Sequence, residues 1–554
     1  MNRLPRWFVP ALAVVPTIAV IVFYAWPLIT VLGRGLNRSA FAETFGDTAT
    51  WEVVWFTAWQ AVVSTVLTIV VGLAPAYVIA RFDFAGRRIL DSALVAVFVL
   101  PTVVIGAAVL AVLPASVERS VAAIVTAHVL FNLAVVVRTV GAVLAALPRD
   151  REAAAATLGA SPRQVFRQIT LPAIRPAIAA AAAIVFVFTF TSFGVVRILG
   201  GVRNSTIEVE IWRQATRFGD IESAAVLTVV QLVAITALVG ASAMLQRRHS
   251  RPLGLTVGHQ RRPPRRGRQR RLVVLTGVLT SIVVATPMAA LVERSLRTGD
   301  GYSLGAWRSF GSVEVRPGIG IGVDPVTALV TSLRYMVIAV LVAVVVGGLA
   351  ALVIAGASSG GRVLDTALML PIATSAVTIG FGILITFDED PVDWRGSWWL
   401  VPMGQALVAI PFVLRTVLPV LRGVEARRLE AAATLGASPL HAWRAVVLPH
   451  LRRPLVVGGG LAAAISLGEF GATSFLSRSG QETMPIAIER LLGRTGTRLQ
   501  GQGYALAVIL AAATIAVVLL LDLTHVTGLG GNANRWKPLT RRRSGARVRG
   551  EHGS

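Results

Sequence analysis

Residues Glu152-Ala-Ala-Ala-Ala-Thr-Leu-Gly-Ala-Ser-Pro162 read as a helix, a turn and the start of a second helix, and the chain repeats them as Glu430-Ala-Ala-Ala-Thr-Leu-Gly-Ala-Ser-Pro439. The alanine-rich run favours helix, Gly159 can take the left-handed conformation that closes it, and Ser161-Pro162 supplies an N-cap with proline in the first helical position. Gln164 stands where a capping box needs it, and Gly436, Ser438 and Pro439 repeat these roles, with His441 in place of the glutamine. Leu171-Pro172 and Leu448-Pro449 are expected to end the second helix, because proline cannot continue the backbone ladder. Between cap and stop lie Val165, Phe166 and Ile169 in one copy and Trp443, Val446 and Val447 in the other. Each copy therefore predicts a short amphipathic helix outside the bilayer, with an apolar knob to insert into a partner.

The two glycines are 277 positions apart, half of the 554-residue chain. The same offset relates Leu171-Pro172 to Leu448-Pro449, Arg138-Thr139-Val140 to Arg415-Thr416-Val417, and Phe193-Gly194 to Phe470-Gly471. The sequence thus reads as two fused copies of one unit. Two parallel copies imply a pseudo-two-fold axis along the membrane normal, with a pathway between them.

Hydropathy fixes what that unit is. The chain is 55% hydrophobic and 15% charged, with a mean hydropathy of +0.70, whereas a soluble domain carries about 25% charged residues. Several apolar runs exceed the roughly 20 residues needed to cross a bilayer. Twelve spans are expected: 8–33, 52–80, 92–114, 120–147, 173–196 and 223–246, then 271–292, 326–356, 363–386, 398–421, 454–477 and 503–526. The fold class is therefore an all-α polytopic membrane protein of two parallel six-helix repeats. The first repeat covers 1–250 with its loop at 148–172, and the second covers 271–528 with its loop at 425–449. A basic linker at 251–270 and a basic tail at 529–554 complete the chain.

Arginine is concentrated in alternate connections, including Arg81–Arg88, Arg149–Arg175, Arg247–Arg271 and Arg422–Arg453. The positive-inside rule then puts both termini and both repeated turns on the cytoplasmic side of the cell membrane. The formal charge of +25 reads as topology and contact with membrane lipid, and nucleic acid is not an expected partner. On the opposite side, Asp388, Glu389, Asp390 and Asp393 make one loop acidic.

Several chemistries are excluded. The chain has no cysteine, so thiolate catalysis and zinc–thiolate sites are absent. Its one lysine, Lys537, is not part of a glycine-rich phosphate loop, so the chain has no P-loop for ATP. Two alternatives stay open: a membrane-embedded enzyme, which needs convergent nucleophiles or paired carboxylates, and an ion-driven carrier, which needs several buried acids, where the sequence offers the isolated Glu469 and the acidic loop. The expectation is a transport subunit that is not itself an enzyme. Glu469 stands inside an apolar run, and its counterpart one repeat earlier is Ser192; this pair is the candidate substrate pathway.

Glu-Ala-Ala, three residues, Gly and a later Leu-Pro resemble the EAA loop of ATP-binding-cassette importer permeases. Glu430, Ala431, Ala432 and Gly436 match it fully, whereas Glu152 lies seven residues before Gly159 instead of six, with Ala153 in the matching place and Ala154 following. Duplication on one chain narrows the resemblance to the fused permeases of iron(III) and thiamine importers. The resemblance implies that both loops are coupling helices docked on a cytoplasmic ATPase dimer, with Glu152, Ala153, Ala154, Gly159, Ser161, Pro162, Phe166, Glu430, Ala431, Ala432, Gly436, Ser438, Pro439 and Trp443 at the contact. It further implies that ATP and magnesium bind the partner ATPase and no cofactor binds this chain, and that an extracellular or periplasmic solute-binding protein delivers cargo. Thr191-Ser-Phe-Gly194, Leu199-Gly-Gly201 and Thr206-Ile-Glu208 are similar to thiamine permeases, which puts thiamine ahead of iron(III). Both cargoes are cationic.

Overall fold

A computed structural model describes residues 8–529 apart from 149, 202, 250–260, 266, 300, 312–313, 317–318, 321–322, 357–359, 389–391 and 425. The expected tail beyond 529, most of the expected linker and the centre of the acidic loop lie outside the described residues. Asp388 lies inside them, and Arg395 pairs with it at 2.6 Å.

The chain is helical nearly throughout. The first half contains α1 (Ala11–Gly35), α2 (Thr48–Arg81), α3 (Arg87–Val99), α4 (Thr102–Val112), α5 (Val121–Ala146), α6 (Asp150–Thr157), α7 (Pro162–Phe190), α8 (Gly194–Leu199), α9 (Ile207–Arg213) and α10 (Ile221–His249). The second contains α11 (Arg268–Leu296), α12 (Pro325–Gly356), α13 (Gly360–Ala373), α14 (Ala376–Thr386), α15 (Leu400–Gly423), α16 (Ala426–Thr434), α17 (439–468), α18 (Thr473–Leu476), α19 (Met484–Leu492) and α20 (Thr497–Leu529). Two short antiparallel ribbons, Arg297–Thr298 with Gly301–Tyr302 and Glu314–Arg316 with Ile319–Gly320, are a small departure from the all-α expectation.

Among the described residues, nine helices are individually long and apolar enough to cross a membrane, and two further spans are bent pairs. The eleventh expected span falls on α17, whose early Arg452 and Arg453 lower its hydropathy. Three expected spans therefore need correction. The third is broken between α3 and α4 by 110°, and the ninth between α13 and α14 by 101°. Pro101 forces Leu100 into extended backbone in the first case, and Ser375 caps α14 with a 3.0 Å bond from the Thr378 amide in the second. The eleventh stops at Gly468, because Glu469 leaves the helix.

Small residues set how closely the spans cross. A Cβ placed on Gly72 would lie 2.8 Å from Val136, and one on Gly347 would lie 3.0 Å from Val413, so the α2–α5 and α12–α15 crossings are as close as glycine allows without a shift of the facing valine. The halves also interlock. Helix α1 packs on α12 and α14 of the second half, where Phe23 and Trp26 meet Phe387. Helix α11 reciprocally packs on α2, α3 and α4 of the first half, and Arg294 Nε donates to the Ala111 carbonyl at 3.2 Å. Each leading span thus lies partly on the other repeat.

Candidate functional site

The repeated turns form alike. Helices α6 and α16 both end in a glycine with positive φ, +85° at Gly159 and +83° at Gly436, a conformation side chains disfavour. The Gly159 amide donates to the Ala156 carbonyl at 3.1 Å and the Ala160 amide to Ala155 at 3.0 Å; Gly436 to Ala433 and Ala437 to Ala432 repeat the pattern at 3.0 Å each. These paired bonds satisfy the last carbonyls of each helix. The capping box is present in the first copy: the Ser161 amide donates to Gln164 Oε1 at 2.8 Å, and the Gln164 amide to Ser161 Oγ at 3.4 Å. In the second copy the His441 amide donates to Ser438 Oγ at 3.4 Å.

Proline does not stop the second helix, contrary to the sequence expectation. A π-helical turn, Phe166–Thr170 or Trp443–Val447, precedes Leu171-Pro172 and Leu448-Pro449, and its wider bonding absorbs the missing amide. Helix α7 therefore runs unbroken from Pro162 to Phe190. At a rise of about 1.5 Å per residue, its 29 residues make a lever roughly 43 Å long.

The turns differ from the expected knob. Leu158 is 89% exposed and Leu435 is 88% exposed, and they stand one offset apart at the two tips. Phe166 is 44% exposed, while Trp443 is half-buried against the second-half core. Each Leu stood inside the repeated Thr-Leu-Gly, so the signal was present in the motif. Glu430, Ala431 and Ser438 are exposed, as are Ala153, Ala154 and Pro162.

Glu152 has its own partner. Its carboxylate accepts from Arg81 at 2.6 Å, at the end of α2, and from Thr170 Oγ1 at 2.9 Å. Leu429 occupies its place in the second half, packed on the apolar core there. One repeat thus anchors α6 by charge, and the other anchors α16 by apolar contact.

The pathway candidates lie near the pseudo-axis. Glu469 is buried and accepts from the Ala472 amide at 2.7 Å, the Thr473 amide at 2.9 Å and Thr473 Oγ1, which caps α18. Ser192 is buried and lies 2.8 Å from His128 Nε2, whose Nδ1 lies 3.0 Å from Ser64 Oγ. Gln405 is the repeat counterpart of His128, and it joins Ser466 at 2.7 Å and Thr473 at 3.3 Å. Equivalent positions thus build two polar knots from different side chains. Next to them, the rings of Phe193 and Phe470 meet at 5.1 Å between centroids.

Glu469 is not alone among buried carboxylates. Glu208, Glu210 and Glu482 are also buried. Gln231 donates to Glu208 at 2.6 Å, Arg213 pairs with Glu210 at 2.9 Å and Arg490 with Glu482 at 2.7 Å. The segments that carry them look like loops in the sequence because charges dilute their hydropathy. In the fold Glu208 and Glu210 lie on the short helix α9 and Glu482 just before α19, each held by its hydrogen-bonding partner.

Two interlocked repeats of apolar spans that meet at Phe193 and Phe470, each with an exposed turn, are the architecture of a membrane transport subunit. The chain belongs to the family of binding-protein-dependent transport system inner membrane components, which matches it twice, at residues 68–253 and 343–526. It is a fused ABC-type permease. The thiamine transport system permease protein ThiP of Salmonella typhimurium is 27% identical over 519 residues, covering 88% of this chain and 92% of that protein. The protein of the same name from Brucella abortus is 28% identical over 517 residues, covering 88% and 90%. A putative 2-aminoethylphosphonate transport system permease protein from Salmonella typhi is 32% identical over 159 residues, 29% of this chain and 59% of that one.

Proposed function

We propose that this chain is the membrane subunit of a thiamine importer driven by ATP hydrolysis on two separate ATPase subunits. The observation that carries the reading is the pair of matched turns, one per repeat, each tipped by a leucine almost wholly in solvent. An exposed apolar tip on a rigid turn needs a groove to fill, and two equivalent tips need two equivalent grooves. A symmetric pair of ATPase subunits supplies them.

The turns work as levers. Closure of the ATPase pair on ATP draws the tips of α6–α7 and α16–α17 together. Because α7 is continuous to Phe190, the displacement reaches the 191–193 turn at its end. The Phe193–Phe470 contact then opens on one side of the bilayer and re-forms after release, so ATP shifts a two-state equilibrium. Ser192 and Glu469 are the residues just before these rings, so they face the pathway once the rings part. Burial of a carboxylate there favours a cation. Full-length similarity to thiamine permeases supports thiamine as cargo, and iron(III) is the second candidate. The turns face the cytoplasm, with both termini on that side.

The test is reconstitution of the chain in vesicles with its ATPase and solute-binding protein. ATP-dependent thiamine uptake is expected, with none from the chain alone. Uptake that continues without ATP under a membrane potential contradicts the reading and favours an ion-driven carrier.

A further inference from the structure

The two halves leave a groove where the first repeated turn is anchored. Arg81 closes α2 and pairs with Glu152 of that turn, and the residues that follow, Phe82 to Gly86, lead into α3. The start of α11 is fastened to them. Val273 is buried against Val78 and Phe82, and the Asp83 amide donates to the Arg262 carbonyl at 3.0 Å. Beside this junction opens a cavity of about 780 Å³, lined by Phe84 and Leu90 of the first half and by Arg270, Val274, Val278 and Ile282 of the second.

The depth of the groove suits a hydrocarbon chain. It follows α11 from Arg270 to Thr286, about 24 Å at the helical rise of about 1.5 Å per residue. One leaflet with its headgroups is about 20–22 Å deep. Val274, Val278 and Ile282 are each more than half exposed. Gly277 among them leaves the floor bare, because a Cβ there would meet only the Phe84 ring, at 4.0 Å.

Charge gathers at one end of this apolar wall. Residues 261–271 hold seven arginines and no acid. Burial and the nearby Arg87 lower the Arg261 guanidinium from its usual pKa, against the opposing pull of Asp91 and Asp83. Its Nε is buried with no hydrogen-bond partner among the described residues, and Asp83 is already engaged by Arg87 at 3.6 Å. Like charges crowded in this way are relieved by an anion.

We propose that the groove holds one anionic phospholipid, its acyl chain lying along α11 between α3 and α11 and its phosphate among Arg261, Arg262 and Arg270. Basic pockets between spans, on the side of the arginine-rich connections, suit such headgroups. A free phosphate would satisfy the arginines and leave the apolar wall beneath them bare. The lipid braces the joint between the halves, next to the Arg81–Glu152 anchor of the first turn.

The experiment is native mass spectrometry of the purified whole chain, titrated in detergent with equimolar phosphatidylglycerol and phosphatidylcholine of identical acyl chains. The parent is expected to bind its first phosphatidylglycerol at least about tenfold more tightly. Arg261→Gln with Arg262→Gln and Arg270→Gln is expected to bring the two lipids within about twofold, and lysine at the same three positions to keep the preference. Gly277→Phe leaves every arginine in place and fills the floor, so phosphatidylglycerol affinity is expected to fall about tenfold. No preference in the parent, a preference kept by the Gln variant, or full affinity in Gly277→Phe overturns the proposal. So does release of the lipid by millimolar glycerol phosphate at constant ionic strength, which marks a small-anion pocket that does not use the groove.

Discussion

Phe193 and Phe470 are the same residue of the two repeats, and their rings touch each other at 5.1 Å. Equivalent residues of a two-fold pair can meet only close to the axis that relates them. This contact therefore marks where the halves close on one another, and Ser192 and Glu469 adjoin it. Because the chain has no cysteine of its own, Phe193→Cys with Phe470→Cys gives a clean thiol pair. A short bismaleimide is expected to link the two and to stop ATP-driven transport, while the unlinked variant retains activity. Gel mobility after cyanogen bromide cleavage reads the link.

The leucine tips should carry most of the docking to the ATPase. Burying a leucine contributes about 2 kcal/mol, so Leu158→Ser or Leu435→Ser is each expected to weaken ATPase association by roughly 30-fold. Both positions are exposed, so the permease itself should melt within about 1 °C of the parent. Pull-down with a dilution series of ATPase and a melting curve in detergent check the two halves of this prediction.

Glu152 and Glu430 stand one residue out of register in the two repeats and do different work. Glu152 faces Arg81, whose side chain is nearly buried, so Glu152→Ala is expected to destabilise the permease by about 3 kcal/mol. Glu430 is exposed, and Glu430→Ala is expected to change stability by less than about 0.5 kcal/mol. Replacing both partners, Arg81→Leu with Glu152→Leu, should recover much of the loss, because Leu429 already serves at the equivalent position. Denaturation in mild detergent measures all three.

Glu469 separates capping from cargo. Glu469→Ala removes the acceptor of the Ala472 and Thr473 amides and is expected to cost about 2 kcal/mol of stability. Glu469→Gln keeps an acceptor and loses the charge, so the concentration of thiamine for half-maximal uptake should rise about tenfold, near the 1.4 kcal/mol of a weakened charge contact. An unchanged uptake curve in the Gln variant restricts Glu469 to capping.

Much of this architecture is legible in the sequence, for identifiable reasons. Spans longer than the bilayer announce themselves by hydropathy, and the repeated glycines and prolines fix the offset without any structure. The bends at Pro101 and Ser375 were less legible, because each hinge sits inside an otherwise apolar run and window averaging conceals it. The α9 and α19 segments fall between the expected spans for the opposite reason. Their Glu208, Glu210 and Glu482 count as polar in a window, yet each is hydrogen-bonded by Gln231, Arg213 or Arg490, partners 23, 3 and 8 residues away. The exchange of α1 and α11 between halves is a matter of packing alone, and no local pattern encodes it. At Leu158 the residue type was visible while its exposure was not, since a leucine after an alanine run reads as core.

The lever account is tested most directly by the distance between the two turns. Spin labels on Thr157→Cys and Thr434→Cys, both exposed and adjacent to the tips, report it by double electron–electron resonance in nanodiscs that contain the ATPase. The account predicts that the distance distribution shifts to shorter values when a non-hydrolysable ATP analogue binds, and returns when it is removed. A distribution unchanged by nucleotide in complexes that hydrolyse ATP and import thiamine would contradict it.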